Sequence, residues 1–168
     1  PDSYHPHHKS HAAAAFQTSN YKDAVAVVID SIGEWDTTTI WKCSYDCNGN
    51  AQYRKVWNKK YPYSIGLWYS ALTEYVGLRP LDEEYIFMGM AAYGKKNYNI
   101  EKVLSLKNND YFKLNNSFLN RSKSSPTGNN RGSFYSNKLV KLLGNPRKRE
   151  EKFNQRHFDI AKSVQEHL

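Results

Sequence analysis

The chain has 168 residues, of which 39% are hydrophobic, so it is long and apolar enough for a globular domain with a core and is unlike a disordered chain. Its net charge of +8 attracts phosphorylated metabolites and nucleic acid alike. No apolar run approaches the roughly 20 residues of a membrane span, and the polar start is unlike a signal peptide, so we expect a cytoplasmic protein. Two cysteines, Cys43 and Cys47, are too few for a disulfide framework or a four-thiolate zinc site.

The first part of the chain predicts a helix followed by three strands. Residues 5–16 are rich in alanine, the best helix former. Residues 24–30 form a short, β-branched apolar run that is typical of a buried strand. Two more strands are predicted at residues 37–42 and 51–57, and the Asn-Gly pair at 48–49 predicts the hairpin between them.

The second part predicts mainly helices. Residues 64–77 place apolar side chains on one face at helical spacing, with Gly77 suited to end the helix. Asn, Ser and Lys dominate residues 108–131, which is typical of a loop or insertion. Further helices are predicted at residues 85–93, 100–106, 135–143 and 151–167. This order of strands and helices indicates an α/β fold.

A histidine pair near the start is a candidate metal site. His7 and His11 are four residues apart and share a face of the predicted helix, where two imidazoles can bind one ion. Asp30 is a through-space candidate for a third ligand. Because His5 and His8 are also nearby, a solvated histidine-rich terminus is the alternative interpretation.

The turn after the predicted strand 24–30 is a candidate phosphate site. Asp30, Gly33 and Glu34 follow that strand directly, and ligands often bind beyond strand ends in α/β proteins, where backbone amides can contact phosphate. An ordinary hairpin turn would use the same residues.

The helix at residues 64–77 is a candidate ligand site, because Gly66 near its start permits close approach and Ser70 lies one turn further on. Its alternative is a core helix with small residues for packing. The basic residues between 121 and 149 indicate a solvated surface rather than a nucleic-acid site, since no stacking aromatics accompany them.

The chain resembles the O-carbamoyltransferase family, whose known members act on nodulation factors and antibiotics. The resemblance lies in four segments in the family's order: HHKSHAAAAF, AVAVVIDSIGEWDTTTIW, YPYSIGLWYSALTEYVG and EEYIFMGMAAYG. The C-terminal QRHFDIAKSVQEHL resembles that family's next helix. We therefore expect residues 1–168 to be one partial domain, with a carbamoyltransferase core at 5–107, a loop or insertion at 108–134 and a helical segment at 135–168.

The resemblance implies part of an actin-like ATPase (ribonuclease-H-like) domain, with a mixed sheet and flanking helices. It also implies kinship with the enzymes that make threonylcarbamoyl-adenosine in tRNA. In those enzymes an HxxxH pair and a later aspartate hold a metal, usually iron. His7 and His11 match the pair, zinc is the alternative ion, and the later aspartate is expected beyond Leu168.

The implied reaction uses ATP and carbamoyl phosphate to form carbamoyl-adenylate, from which the carbamoyl group moves to a hydroxyl of a small molecule or sugar. Mg²⁺ is an expected companion of the nucleotide. By the same resemblance we assign Asp30 and Glu34 to catalysis. The residues assigned to substrate or nucleotide binding are Gly33, Gly66, Ser70 and Glu84.

Two positions depart from the family pattern. Ser31 stands where the family usually has glycine, and Ile86 stands where it usually has lysine, which removes a cation near the anionic ligands. An inactive remnant that binds nucleotide or phosphate is therefore the alternative function, and a nucleic-acid-binding module is a less favoured third. The expected partners are small-molecule substrates and the remainder of the enzyme, with no membrane.

Overall fold

The computed structural model describes residues 5–107, 110–120 and 132–168. The chain forms two compact units, Pro1–Gly66 and Leu67–Leu168. The boundary falls near the start of a helix that begins at Ile65.

In the first unit a helix packs on one face of a three-stranded sheet. The elements are α1 (His7–Gln17), β1 (Asp23–Gly33), β2 (Asp36–Tyr45) and β3 (Ala51–Lys60). The order of the strands is β1-β2-β3, and both neighbouring pairs are antiparallel, because short turns join strands that run in opposite directions. These elements confirm the predicted helix and the three predicted strands, and each strand is longer than predicted.

The core of this unit lies between α1 and the sheet. Ala12 and Phe16 from α1 pack against Val28 of β1 and against Trp41 and Cys43 of β2. Because side chains alternate across a strand, this face uses the even residues of β1 and the odd residues of β2.

The hairpin predicted at Asn48-Gly49 joins β2 to β3. Gly49 has φ +81°, which favours glycine, and Asp46 Oδ1 accepts the Asn48 and Asn50 N–H groups, both at 2.9 Å. The hairpin prediction is confirmed. Cys43 is buried and Cys47 is exposed, and both are free thiols.

The second unit is mainly helical. Its core is formed by apolar residues of several helices: Trp68, Leu72, Tyr75, Phe87, Leu139, Ile160 and Val164. Its helices are the larger part of α2 (Ile65–Tyr75), α3 (Glu84–Met90), α4 (Asn137–Leu143) and α5 (Gln155–Gln165), with 3-10 turns at Ala91–Tyr93 and Asn116–Phe118. None of the helices in the described residues is long and apolar enough to cross a bilayer.

The predicted helix at residues 100–106 is wrong. Leu104–Lys107 is β4 instead, and it pairs antiparallel with β5, Tyr111–Leu114, inside the segment predicted as a loop. Leu104 lies opposite Leu114, and alternation in β5 buries Phe112 and Leu114, so tertiary pairing overrides a short apolar pattern. Residues 108–109 and 121–131, also predicted as loop, lie outside the described residues.

The sheet arrangement differs from the expected mixed sheet. Among the described residues both sheets are antiparallel, since a parallel pair requires a long crossover connection. Helices and sheets together remain consistent with an α/β domain.

His157 closes the start of α5. Its Nδ1 accepts the Asn154 N–H at 3.1 Å, and the residue is 3% exposed. Burial lowers the pKa of His157, and the charges of Arg156 and Arg147 lower it further. A proton on Nδ1 would also remove the acceptor for Asn154.

We predict that acid destabilises the chain partly through His157. The unfolded chain protonates near the ordinary pKa of 6.5, whereas the folded chain resists protonation until lower pH, so this stability is present above 6.5 and is lost as the pH falls. Urea unfolding followed by circular dichroism should show a lower midpoint at about pH 5.5 than at about pH 7.5.

The matched variant is His157→Gln, because glutamine at this position can also accept from the start of a helix but does not titrate. It should reduce the pH dependence of the midpoint, and the buried His8 should account for part of what remains. An unchanged dependence in His157→Gln would contradict the prediction.

Candidate metal centre

The rotation of α1 decides which histidines face the sheet. His8, Ala12 and Phe16, spaced by four residues, form its buried stripe. His7 and His11 lie on the neighbouring stripe, and their side chains are 46% and 54% exposed. The candidate ligands therefore lie beside the packed face of α1, at the edge of the sheet.

Asp30 meets this histidine pair in space. Its Oδ2 lies 2.6 Å from His7 Nε2 and 3.7 Å from His11 Nε2, and the two Nε2 atoms are 3.0 Å apart. One donor atom from each residue falls within 4.8 Å of the other two. The three side chains thus converge on one point, although His11 and Asp30 are 19 positions apart in the sequence.

The second oxygen of Asp30 is held by the backbone. Oδ1 accepts the Ser31 N–H at 2.6 Å, which leaves Oδ2 directed at the histidines. Burial by itself would raise the pKa of Asp30, but the hydrogen bonds from His7 and the Ser31 N–H bring the pKa below its usual value. The carboxylate is therefore ionised at neutral pH and available as a ligand.

Gly33 allows α1 to approach the turn between β1 and β2. A Cβ on Gly33 would lie 2.6 Å from His7 Cδ2 and 2.7 Å from His8 Nε2, distances that real contacts do not reach. Glu34 follows in the left-handed region with φ +62°, and its Oε1 accepts the His7 N–H at 3.3 Å. Glu34 thus assists the start of α1, where Pro6 offers no side-chain cap.

His8 was not predicted as a functional residue. It is 3% exposed, and its Nδ1 lies 2.9 Å from Thr39 Oγ1 in the core. Burial lowers the pKa of His8, against the opposing effect of Asp36 and Asp30. The spacing of His8, Ala12 and Phe16 was the sequence signal for its burial.

Gly66 and Ser64 pack against the end of β1. A Cβ on Gly66 would lie 2.9 Å from the Ser31 backbone nitrogen, and Ser64 Oγ donates to the Ser31 carbonyl at 2.7 Å. The close approach that the sequence suggested for a ligand at Gly66 is made here by the backbone that carries Asp30.

Ser70 and Glu84, both predicted nucleotide contacts, lie in the second unit and bind each other. Ser70 Oγ donates to Glu84 Oε1 at 2.5 Å, and the Leu81 N–H donates to the same oxygen at 2.6 Å. Ser70 is 2% exposed. Their nucleotide role stays a prediction.

The donor set of His7, His11 and Asp30 fits a divalent transition metal. Two imidazoles and one carboxylate are the ligand types that iron and zinc accept, with positions left open for substrate. A groove of about 500 Å³, lined by His5, His7, Ser10, His11 and Glu34, lies beside the donors. The hydrogen bond from Ser31 to Asp30 orients one ligand from outside the donor set, as is usual in metal sites.

Two known proteins contain a region that is similar to this chain. An uncharacterized protein of Synechocystis sp. (strain ATCC 27184 / PCC 6803 / Kazusa) is 36% identical over 166 residues, which are 96% of this chain and 25% of that protein. An uncharacterized protein of Methanocaldococcus jannaschii is 33% identical over 112 residues, 61% of this chain and 18% of that protein. The chain thus spans a quarter or less of the length of these relatives.

A family model described as the carbamoyltransferase N-terminus matches residues 1–168. The match covers every residue discussed above, including the histidine pair, Asp30 and the turn at Gly33. On this match, the chain belongs to the carbamoyltransferase N-terminus family.

Proposed function

We propose that the chain is part of an ATP-dependent carbamoyltransferase whose metal centre includes His7, His11 and Asp30, together with the later aspartate expected beyond Leu168. The observation that carries the proposal is the convergence of these three donors within a chain of this family. Iron is the proposed ion and zinc the alternative, because both accept imidazole and carboxylate ligands.

The proposed reaction has two balanced steps. Carbamoyl phosphate, water and ATP give carbamoyl-adenylate, phosphate and pyrophosphate, with Mg²⁺ as the companion of the nucleotide. The oxygen of an acceptor hydroxyl on a small molecule or sugar then bonds to the carbamoyl carbon, and AMP leaves. When bound, the metal supplies Lewis-acid polarisation of a phosphoryl or carbonyl oxygen.

The residues of the turn have separate proposed tasks. Asp30 holds the ion, and its ionised state is supported by the Ser31 N–H. Glu34 borders the groove, where its carboxylate is suited to accept the proton of the acceptor hydroxyl. Gly33 keeps the backbone close to the site, and Gly66, Ser70 and Glu84 remain proposed contacts of substrate or nucleotide.

We also propose that the partner of the first unit is further polypeptide of the kind its relatives carry. On β1 the side chains of Val25, Val27 and Ile29 are 67%, 58% and 56% exposed. This strand lies at one edge of the sheet without charged residues between Ala24 and Ile29. The opposite edge, β3, carries lysines and an arginine of the kind that block strand pairing, which favours β1 as the edge that is covered.

Metal binding tests the proposed centre. We expect the purified chain to bind one Fe²⁺ or Zn²⁺, and His7→Ala, His11→Ala and Asp30→Asn each to weaken binding by at least about 100-fold, since losing a ligand costs more than losing an outer partner. Isothermal titration measures the affinities.

His5→Ala is the matched control for that series, because His5 lines the groove but lies outside the donor set. It should bind metal like the wild type. Equal losses in His5→Ala and His7→Ala would instead support a histidine-rich terminus that chelates without a defined site.

Gly33→Ala tests the close approach of α1. The added Cβ would collide with the rings of His7 and His8, which must then shift, so we expect weaker metal binding and a free energy of unfolding lower by about 1–3 kcal/mol. Gly89→Ala is the control, because no atom lies within 4 Å of the added Cβ and alanine favours the helix. Denaturant unfolding that ranks Gly33→Ala equal to Gly89→Ala would contradict the packing argument.

Turnover tests the reaction. In a polypeptide of the relatives' length that contains this segment, ATP and carbamoyl phosphate together should release pyrophosphate, and Asp30→Asn should reduce that rate by at least about 100-fold. The 168-residue chain alone should show no turnover. ATP binding without release of pyrophosphate in the longer protein would favour the inactive remnant.

A further inference from the structure

In the buried stripe of α1, His8 forms a hydrogen bond with Thr39. The other members of that stripe, Ala12 and Phe16, are apolar and pack without a preferred direction. A hydrogen bond fixes an angle as well as a distance. The His8–Thr39 contact therefore restrains the rotation of α1 more narrowly than the apolar contacts do.

The Thr39 hydroxyl interacts with Trp41 as well as with His8. The Trp41 indole N–H can only donate, and it donates to Thr39 Oγ1 at 2.7 Å. One lone pair of Thr39 is thereby used, and the rest of the hydroxyl is left to interact with His8 Nδ1 at 2.9 Å. Both contacts are buried, so this relay of side chains has little freedom to rearrange.

The ring of His8 is coupled to the ligand His7 through Gly33. The α-carbon of Gly33 lies against both rings, as the 2.6 Å and 2.7 Å approaches of an added Cβ show, and the ring centroids of His7 and His8 are 5.9 Å apart. A shift of the His8 ring therefore moves the surface against which His7 rests.

We propose that His8 is a positioning residue of the metal centre, which, through its hydrogen bond to Thr39 and its contact with Gly33, sets the rotation of α1 that places His7 against Asp30. The effect on metal affinity rests on the proposed function. Functional constellations tolerate departures of only about 0.5 Å and 10–20°.

His8→Leu separates positioning from stability. His8 Nε2 is buried without a side-chain partner among the described residues, and the backbone and the charge of Asp36 both act on the ring. His8→Leu removes one partner of the buried His8–Thr39 hydrogen bond, so we expect lower stability whether or not the residue positions the ligands. A purely structural role predicts that loss with unchanged metal affinity in the folded chain, whereas positioning predicts that the metal affinity falls as well.

The experiment uses the full 168-residue chain and Co²⁺, whose visible absorption reports ligand geometry. We expect His8→Leu to weaken Co²⁺ binding by about 10- to 100-fold and to change the spectrum, as the loss of an outer partner does. His8→Asn, whose side-chain amide can occupy the position of Nδ1, should restore most of the affinity. Phe16→Leu, in the same stripe, should lower the melting temperature and leave affinity and spectrum unchanged. Wild-type affinity and spectrum in His8→Leu would overturn the proposal.

A metal-free measurement keeps the two proposals distinguishable. In the wild type, nuclear Overhauser contacts should join the Gly33 α-protons to the rings of His7 and His8. His8→Leu should lose the contact to His7, whereas His8→Asn and Phe16→Leu should keep it. If no variant binds Co²⁺, the proposed metal function fails, and this measurement alone decides the positioning role: a His7 contact retained in His8→Leu overturns it.

Discussion

The approach of α1 to the turn at Gly33 is the constraint on which the candidate centre depends. Without a side chain at Gly33, the rings of His7 and His8 rest on the backbone that links Asp30 to Glu34. One glycine thus brings a helix stripe and a strand end to a common point. Gly66 acts in a similar way, because a Cβ there would lie 2.9 Å from the backbone nitrogen of Ser31.

The energetics of the cluster favour a ligand-binding role over a structural one. The side chains of His7, His11 and Asp30 are 46%, 54% and 29% exposed, and ion pairs at that exposure contribute about 0–1 kcal/mol to stability. Three donor atoms directed at one point also repel each other unless a proton or a cation lies between them. The arrangement therefore contributes little to folding, while its donor types are ones that transition metals accept.

Local patterns were enough to predict much of the fold, because α1, the three strands of the first sheet and α2 have the periodicity of isolated elements. They failed at β4, where four residues, Leu104–Lys107, form a strand only through pairing with β5. Spacing also indicated His7 and His11, which share a helix face. The position of Asp30 depends on packing across 23 residues from His7, which no local pattern reveals.

The burial of His8 likewise depends on packing. In the sequence it is one of several histidines near the start, and only the packing of α1 distinguishes it from exposed neighbours such as His5. The hydrogen bond between Ser70 and Glu84 could not be predicted from the sequence either. Each residue had been assigned to ligand binding, and nothing local indicates that they bind each other. Side-chain pairing in three dimensions, rather than residue type, decided these cases.

The two departures from the family pattern have unequal weight. Among the described residues other than glycine, φ is positive only at Glu34, Leu81 and Tyr111, so Ser31 occupies its position without the strain that would demand glycine. The local contacts at Ser31 use its backbone: its N–H holds Asp30 and its carbonyl accepts from Ser64. A serine supplies both groups as well as a glycine does.

The replacement of lysine by Ile86 is different, because a missing side-chain cation cannot be supplied by the backbone. The departure at Ile86 therefore bears more directly than Ser31 on the choice between an active enzyme and a binding remnant.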